Sequence, residues 1–203
     1  MIDRMNLIKN KDLEEKLRRV VNEIHPLSHR AFNDFLDLIV CDTITKGIFI
    51  RKGQQTSSEY FILEGLVRTY VESPNGKDVS LNFYPDQSIL SPYKTRTKAG
   101  ISTIWVEALA QTELAAIDVK ALFELAAKSE EIRIFMTRVI ENDLLEKSSK
   151  EIMLASMTGK EKLAFFRERF PTLENYAPHI HIASYCGITN VSLSRFRAMK
   201  SLQ

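Results

Sequence analysis

Between Asn190 and Arg197 the chain sets an amide (Asn190), two hydroxyls (Ser192, Ser194) and two guanidiniums (Arg195, Arg197) around the apolar Val191. At helical spacing these are the polar and cationic groups of a surface helix, the equipment for gripping a groove walled by phosphates. Just upstream lie Ile182, Ala183 and Tyr185 of an earlier helix, and then Gly187 where the chain must reverse. Glycine tolerates the positive φ of such a turn. Ile188 reads as a buried plug. Thr189 or Asn190 can cap the next helix through a side-chain oxygen, with Val191, Phe196 and Met199 turned inward. Small residues at a crossing, a glycine turn and a basic second helix make a helix-turn-helix. The alternative is an ordinary helical hairpin buried in a core.

Charge is distributed to match. The whole chain carries +2, but residues 156–203 hold 7 Lys+Arg against 3 Asp+Glu, which leaves −2 on the rest. The segment with the candidate helix-turn-helix is therefore the basic one. A length of 203 residues with 44% hydrophobic and 27% charged residues suits one or two globular domains. No apolar run is long enough to span a bilayer. The first twenty residues are charged throughout, lack a secretory apolar stretch and are spaced like an amphipathic helix. Cys41 and Cys186 make no disulfide framework, so a reducing, cytoplasmic setting is expected.

The elements that must position the helix-turn-helix fall into three regions. From Thr43 to Ile117, short β-like runs recur: Ile44–Arg51, Tyr60–Leu63, Leu66–Val71, Val79–Tyr84, Ser102–Ala108 and Thr112–Ile117. Glu64-Gly65 and Ser73-Pro74-Asn75-Gly76 are turn signals between them. This pattern predicts a small antiparallel roll or jelly roll. Next, Asp118 caps a helix through Ala127, and Ser129 caps a longer one with Glu130 and Glu131 at its positive end. Its apolar residues Ile132, Phe135, Met136, Val139, Ile140, Leu144, Leu145, Ile152 and Leu154 form a stripe wider than one packing partner needs. Either a second copy of the chain or a single-chain core would account for it. Lys160–Phe170 is a further helix before Pro171. The sequence stops at Gln203, so any wing is expected before His181 and short.

The order of roll, long helix and helix-turn-helix resembles the CRP/FNR family of bacterial transcription regulators. Tyr60 through Arg68, Asn75-Gly76-Lys77, Trp105 through Leu109, Glu113 through Ile117, and above all Ile182 through Arg195 carry the likeness. It implies an α+β chain with three parts. Residues 1–128 would form a cyclic-nucleotide-binding-like β-roll, 129–155 a dimerisation helix and 156–203 a winged helix-turn-helix domain. It implies a homodimer on a palindromic site in double-stranded DNA, with RNA polymerase a further partner if the effect is activation. Asn190, Val191 and Arg195 would face base edges, Arg195 as the bidentate reader of guanine. Thr189, Ser192 and Arg197 would hold the backbone, and Ser194 would stand with them among the DNA-binding residues. Val191 departs from the acidic residue common at its place in that family.

Cyclic-nucleotide binders of the family use a Gly-Glu pair for the ribose and an Arg for the phosphate. Here Asp86, Gln87 and Ser88, with Ser102 and Thr103, occupy those segments: Gln87 stands for the acid and Ser102 for the Arg. The expectation is that cyclic AMP is not bound in the family manner, and that any effector is another small molecule. Lys94–Lys98 reads as a solvated basic loop. No cofactor, metal or catalytic group is expected. His179-Ile180-His181 lacks a third ligand, and hydrolase and P-loop motifs are absent. The rival reading is a ligand-sensing or interaction protein with a cupin-like roll that does not bind DNA.

Overall fold

The structure, a computed structural model, describes residues 11–200 without the side chains of Met199 and Lys200. The inward place expected for Met199, and the first ten residues of the expected N-terminal helix, lie outside the described residues. The elements run α1 (Lys11–Ile24), α2 (His29–Leu36), β1 (Ile39–Ile44), β2 (Gly47–Ile50), β3 (Ser58–Glu64), β4 (Val67–Glu72), β5 (Asp78–Tyr84) and β6 (Ser88–Ile89). Then come the single turn α3 (Tyr93–Arg96), β7 (Thr97–Lys98), β8 (Ile101–Ser102), β9 (Trp105–Ala108), β10 (Thr112–Asp118) and α4 (Val119–Lys128). The chain closes with α5 (Glu130–Ser156), α6 (Gly159–Arg169), a 3-10 turn (Leu173–Asn175), α7 (His179–Tyr185) and α8 (Asn190–Lys200).

Two four-stranded sheets, ordered β1-β10-β3-β6 and β2-β9-β4-β5, form the roll, with β7-β8 as a small separate ladder. The pairings β1–β10 and β10–β3 are antiparallel. In β3, Phe61 and Leu63 face the helices while Ile62 faces the roll interior; in β10, Ala115 and Ile117 are opposed to Leu114. This period-2 alternation lets one sheet serve two cores. The inner core joins Ile62 and Leu114 to Ile50, Val67, Tyr84, Leu90 and Val106. The outer core packs Leu17, Val21, Phe32, Phe35, Ile132 and Phe135 on Phe61. Edge contacts Phe35–Phe61 (5.7 Å) and Phe35–Phe135 (5.9 Å) lock it. Between β3 and β4, Gly65 has φ +113°, and a Cβ there would lie 2.5 Å from Thr112 Oγ1. Only glycine fits.

The compact units do not follow chain order. One comprises the described residues to Arg68 with Phe83–Asp143; the other comprises Thr69–Asn82 with the described residues from Leu144. The division cuts through β4, β5 and α5, which are continuous elements. Both expected caps flanking α4 form: Asp118 accepts from Lys120 and Ala121 N–H, and Ser129 Oγ accepts from Ile132 N–H at 3.4 Å. On α5, Ile132, Phe135 and Met153 are buried, whereas Leu144 (64% exposed), Leu145 (65%) and Ile152 (61%) are open. Between Ser156 and Lys200 no strand occurs among the described residues.

Candidate nucleic-acid interface

Three helices build the frame for α8. Thr158 and Glu161 form a reciprocal capping box at the start of α6. Its Phe166 meets Phe170 (5.3 Å) and Tyr185 (5.6 Å), and Leu163, Leu173, Ile182, Ala183, Cys186 and Leu193 complete the buried centre. Gly187, at φ +62°, makes the reversal, and a Cβ there would come within 3.1 Å of Leu154 Cδ2. Thr189, rather than Asn190, is the cap: its Oγ1 accepts from Ser192 N–H at 3.1 Å and lies 3.0 Å from Ser192 Oγ.

Starting α8 at Asn190 fixes its faces. Leu193 is buried and Phe196 and Ile188 half-buried, while Val191 is 70% exposed. The inward place expected for Val191 belongs to Leu193, two residues and about 200° further round the helix. Asn190, Ser194 and Arg195 are exposed as well. Arg195 makes no hydrogen bond or ion pair among the described residues. Arg197 differs. It is half-buried, its Nε is 3.1 Å from Glu174 Oε1, and its Nη1 donates to the His179 ring at 2.9 Å. Arg167 grips the same carboxylate, Nε to Oε2 at 2.6 Å and Nη2 to Oε1 at 2.9 Å.

A second set of contacts anchors α7 and was invisible in the sequence. Ser184 Oγ accepts from Ser80 N–H (2.9 Å) and donates to the Asp78 carbonyl (3.0 Å). Lys150 Nζ, from α5, donates to the Ser80 (2.9 Å) and Leu81 (2.7 Å) carbonyls and lies 4.0 Å from the Tyr185 ring centre. Two side chains thus take up the open backbone groups of β5, an edge strand. Burial lowers the Lys150 ammonium to about 8, against the opposing pull of Cys186. Burial also pushes the Cys186 and Cys41 thiols up to about 12, which leaves both inert. The sequence signal was faint: one Lys of a polar, charged run, and a Ser that reads as a small helix residue.

Of the five residues in the segments that would meet a nucleotide, Asp86, Ser88, Ser102 and Thr103 each make a hydrogen bond within the roll. Asp86 Oδ1 accepts from Gly65 N–H at 2.6 Å, and Gln87 sits at φ +58° in the same turn. Ser88 Oγ donates to the Pro85 carbonyl (2.6 Å), Ser102 Oγ to the Ile104 carbonyl (2.8 Å) and Thr103 Oγ1 to the Arg96 carbonyl (3.0 Å). The stretch read as a solvated basic loop is instead α3 and β7, with Arg96 only 1% exposed. Arg96 Nε donates to the Ser91 carbonyl at 3.0 Å, and Nη2 to the Ser58 carbonyl. Nη1 is buried without a hydrogen-bond partner. Nearby, both Glu59 oxygens accept from Tyr93 N–H (2.9 and 2.8 Å). Asp143 accepts from Ser91 Oγ (2.7 Å) and Thr95 Oγ1 (3.0 Å). Burial raises the Glu59 carboxyl to about 7, against the pull of Tyr93 N–H and Arg96. Burial likewise lowers the Arg96 guanidinium.

Solved structures share this architecture over most of the chain. FixK2 from Bradyrhizobium japonicum superposes with TM-score 0.71 at 17% identity, covering 81% of this chain and 85% of that one. The c-di-GMP responsive global regulator CLP from Xanthomonas campestris gives 0.66 at 14%, covering 86% and 92%. A protein from Eubacterium rectale assigned to the CRP/FNR family of transcriptional regulators gives 0.65 at 16%, covering 87% and 84%. The chain has the fold of CRP/FNR-type regulators. No protein-family model and no curated protein sequence matches it. Similarity at these identities is one of fold, and the CRP/FNR-like architecture expected from residue order stands on it.

Proposed function

We propose that this chain is a DNA-binding transcription regulator of the CRP/FNR type, acting in the cytoplasm as a homodimer on a two-fold-symmetric site. The observation that carries the reading is the outer face of α8. Asn190, Val191, Ser194 and Arg195 are exposed together behind the Gly187 turn, and Arg195 pairs with no carboxylate among the described residues. Arg195 reads a guanine through its planar fork, Asn190 pairs with adenine, and Val191 meets a thymine methyl. The helix N-terminus at Thr189 and Asn190 favours an adjacent phosphate. Arg197 is spent on Glu174 and adds no backbone contact.

The dimer forms along the exposed apolar side chains of α5, Ile140, Leu144, Leu145 and Ile152, which a second copy would cover. Two recognition helices then enter successive major grooves about 34 Å apart. The roll does not respond to cyclic AMP, because the positions for ribose and phosphate recognition carry Gln87 and Ser102, and the Ser102 hydroxyl is bonded to the Ile104 carbonyl. Activation would add a contact with RNA polymerase.

A gel shift with the regulator's upstream DNA, at two salt concentrations, tests the DNA reading. Specific binding with a steep loss at the higher salt is expected, and salt-independent or absent binding overturns it. Titration calorimetry with cyclic AMP should give no binding heat. Tight binding would refute the effector reading alone.

A further inference from the structure

Beside α8 lies an open concavity of about 620 Å³ lined by Arg167, Glu174, His179, Ser194 and Arg197. Its chemistry is two cations and one acid. Glu174 is the least exposed of the three charged side chains (14%, against 24% for Arg167 and 34% for Arg197). It lies in the 3-10 turn, Arg167 in α6 and Arg197 in α8, so one carboxylate ties three elements together. Arg197 comes seven residues after Asn190, two helical turns on, and so returns to nearly the same side of α8. A guanidinium there, if released, would reach for the phosphates that flank the groove. Arg195, two residues earlier, has no ion pair among the described residues and is exposed.

We propose that Glu174 is a specificity-determining positioning residue for DNA recognition: by holding Arg167 and Arg197 it fixes the rotation of α8 and keeps both cations off the DNA backbone. The inference rests on the DNA-binding reading above. Its physical basis is that backbone contacts raise affinity for every sequence alike, whereas discrimination comes from base edges met at one fixed rotation. A carboxylate that withholds two cations lowers sequence-independent binding and leaves the specific contacts in place. Bidentate pairing fixes direction as well as distance, which a single contact does not.

The test uses the full chain with Glu174→Gln, checked for native circular dichroism. Anisotropy titrations across a salt series would employ two duplexes, one selected by the wild type from a random pool and one of unselected sequence. The expected result is tighter binding to the unselected duplex and a salt slope steeper by about 1 to 2, roughly 0.9 per recruited cation. The ratio of specific to unselected affinity should fall about tenfold. Equal losses on both duplexes with an unchanged slope would mean mere destabilisation and overturn the proposal. Arg197→Gln is the second variant, decisive even if Glu174→Gln does not fold. It should lower discrimination and leave the slope alone, whereas a slope shallower by about 1 would make Arg197 a phosphate contact and overturn the proposal. A wild type without salt-dependent DNA binding defeats the regulator reading itself and this inference with it.

Discussion

Each unit sets a carboxylate near arginine away from water, and the two arrangements work in opposite ways. In the roll, Glu59 and Arg96 each bond to backbone rather than to one another, Glu59 through Tyr93 N–H and Arg96 through the Ser91 and Ser58 carbonyls. Burial then moves both toward their neutral forms. In the helical unit Glu174 is shared by two guanidiniums at 2.6 to 3.1 Å, a direct charge-assisted pairing. In the first arrangement the charges meet backbone dipoles and feel each other only at a distance, while in the second the opposite charges touch.

Replacing the roll's acid should have the largest effect on stability. The Glu59 carboxyl is raised from 4.5 to about 7, so the folded chain binds more protons than the unfolded one between those values. Wild-type stability therefore rises as pH falls from 7 to 4.5 and is lost again as pH climbs. Glu59→Gln should remove that slope and stabilise the chain at pH 8 by about 3 kcal/mol at most. Denaturant unfolding at several pH values checks it; a variant that keeps the wild-type slope would place the titration elsewhere.

The opposite sign is expected at the brace. Glu174→Ala leaves two guanidiniums facing each other without their acid. The loss should be about 2 kcal/mol, below that of a fully buried pair because Arg167 and Arg197 keep some solvent. Unchanged thermal unfolding of the helical unit would show that the carboxylate is not structural.

Lys150 belongs with the roll's type, although it lies in the helical unit. Its ammonium has carbonyl partners and an aromatic face but no ion pair among the described residues, and burial takes it from 10.5 to about 8. The depressed value means that the unfolded chain binds more protons between 8 and 10.5, so wild-type stability rises with pH across that window. Lys150→Met should be more stable by about 1 kcal/mol at pH 7, the relief of burial exceeding the loss of two hydrogen bonds. The gain should vanish by about pH 10, and a pH-independent difference would contradict the assignment.

The sequence made the fold legible where local chemistry decides it. Asp118 and Ser129 cap as their types demand, Gly187 turns where only positive φ serves, and the alternation in β3 and β10 marks a sheet buried on both faces. Contacts between distant residues were illegible. Ser184 and Ser80 are over a hundred positions apart, and nothing near either signals the other. Arg96 looked solvated because its neighbours Lys94 and Lys98 are, yet a single helical turn draws it inside. On α8, type and spacing placed Arg195 in the open, where the structure has it. They could not separate it from Arg197, since the difference lies in Glu174, twenty-three residues away.

That separation yields the smallest effect on stability. Arg195→Ala removes an exposed side chain with no partner among the described residues, so unfolding should change by less than about 0.5 kcal/mol. DNA affinity should nevertheless fall by about 1–3 kcal/mol, with specificity relaxed at one base position. Arg197→Ala should destabilise the helical unit, because it strips Glu174 of a partner. Two arginines two residues apart thus give opposite signatures, one in binding alone and one in folding first. Parallel melting and binding curves for the pair would distinguish a read-out residue from a brace, and matching melting losses would abolish the contrast.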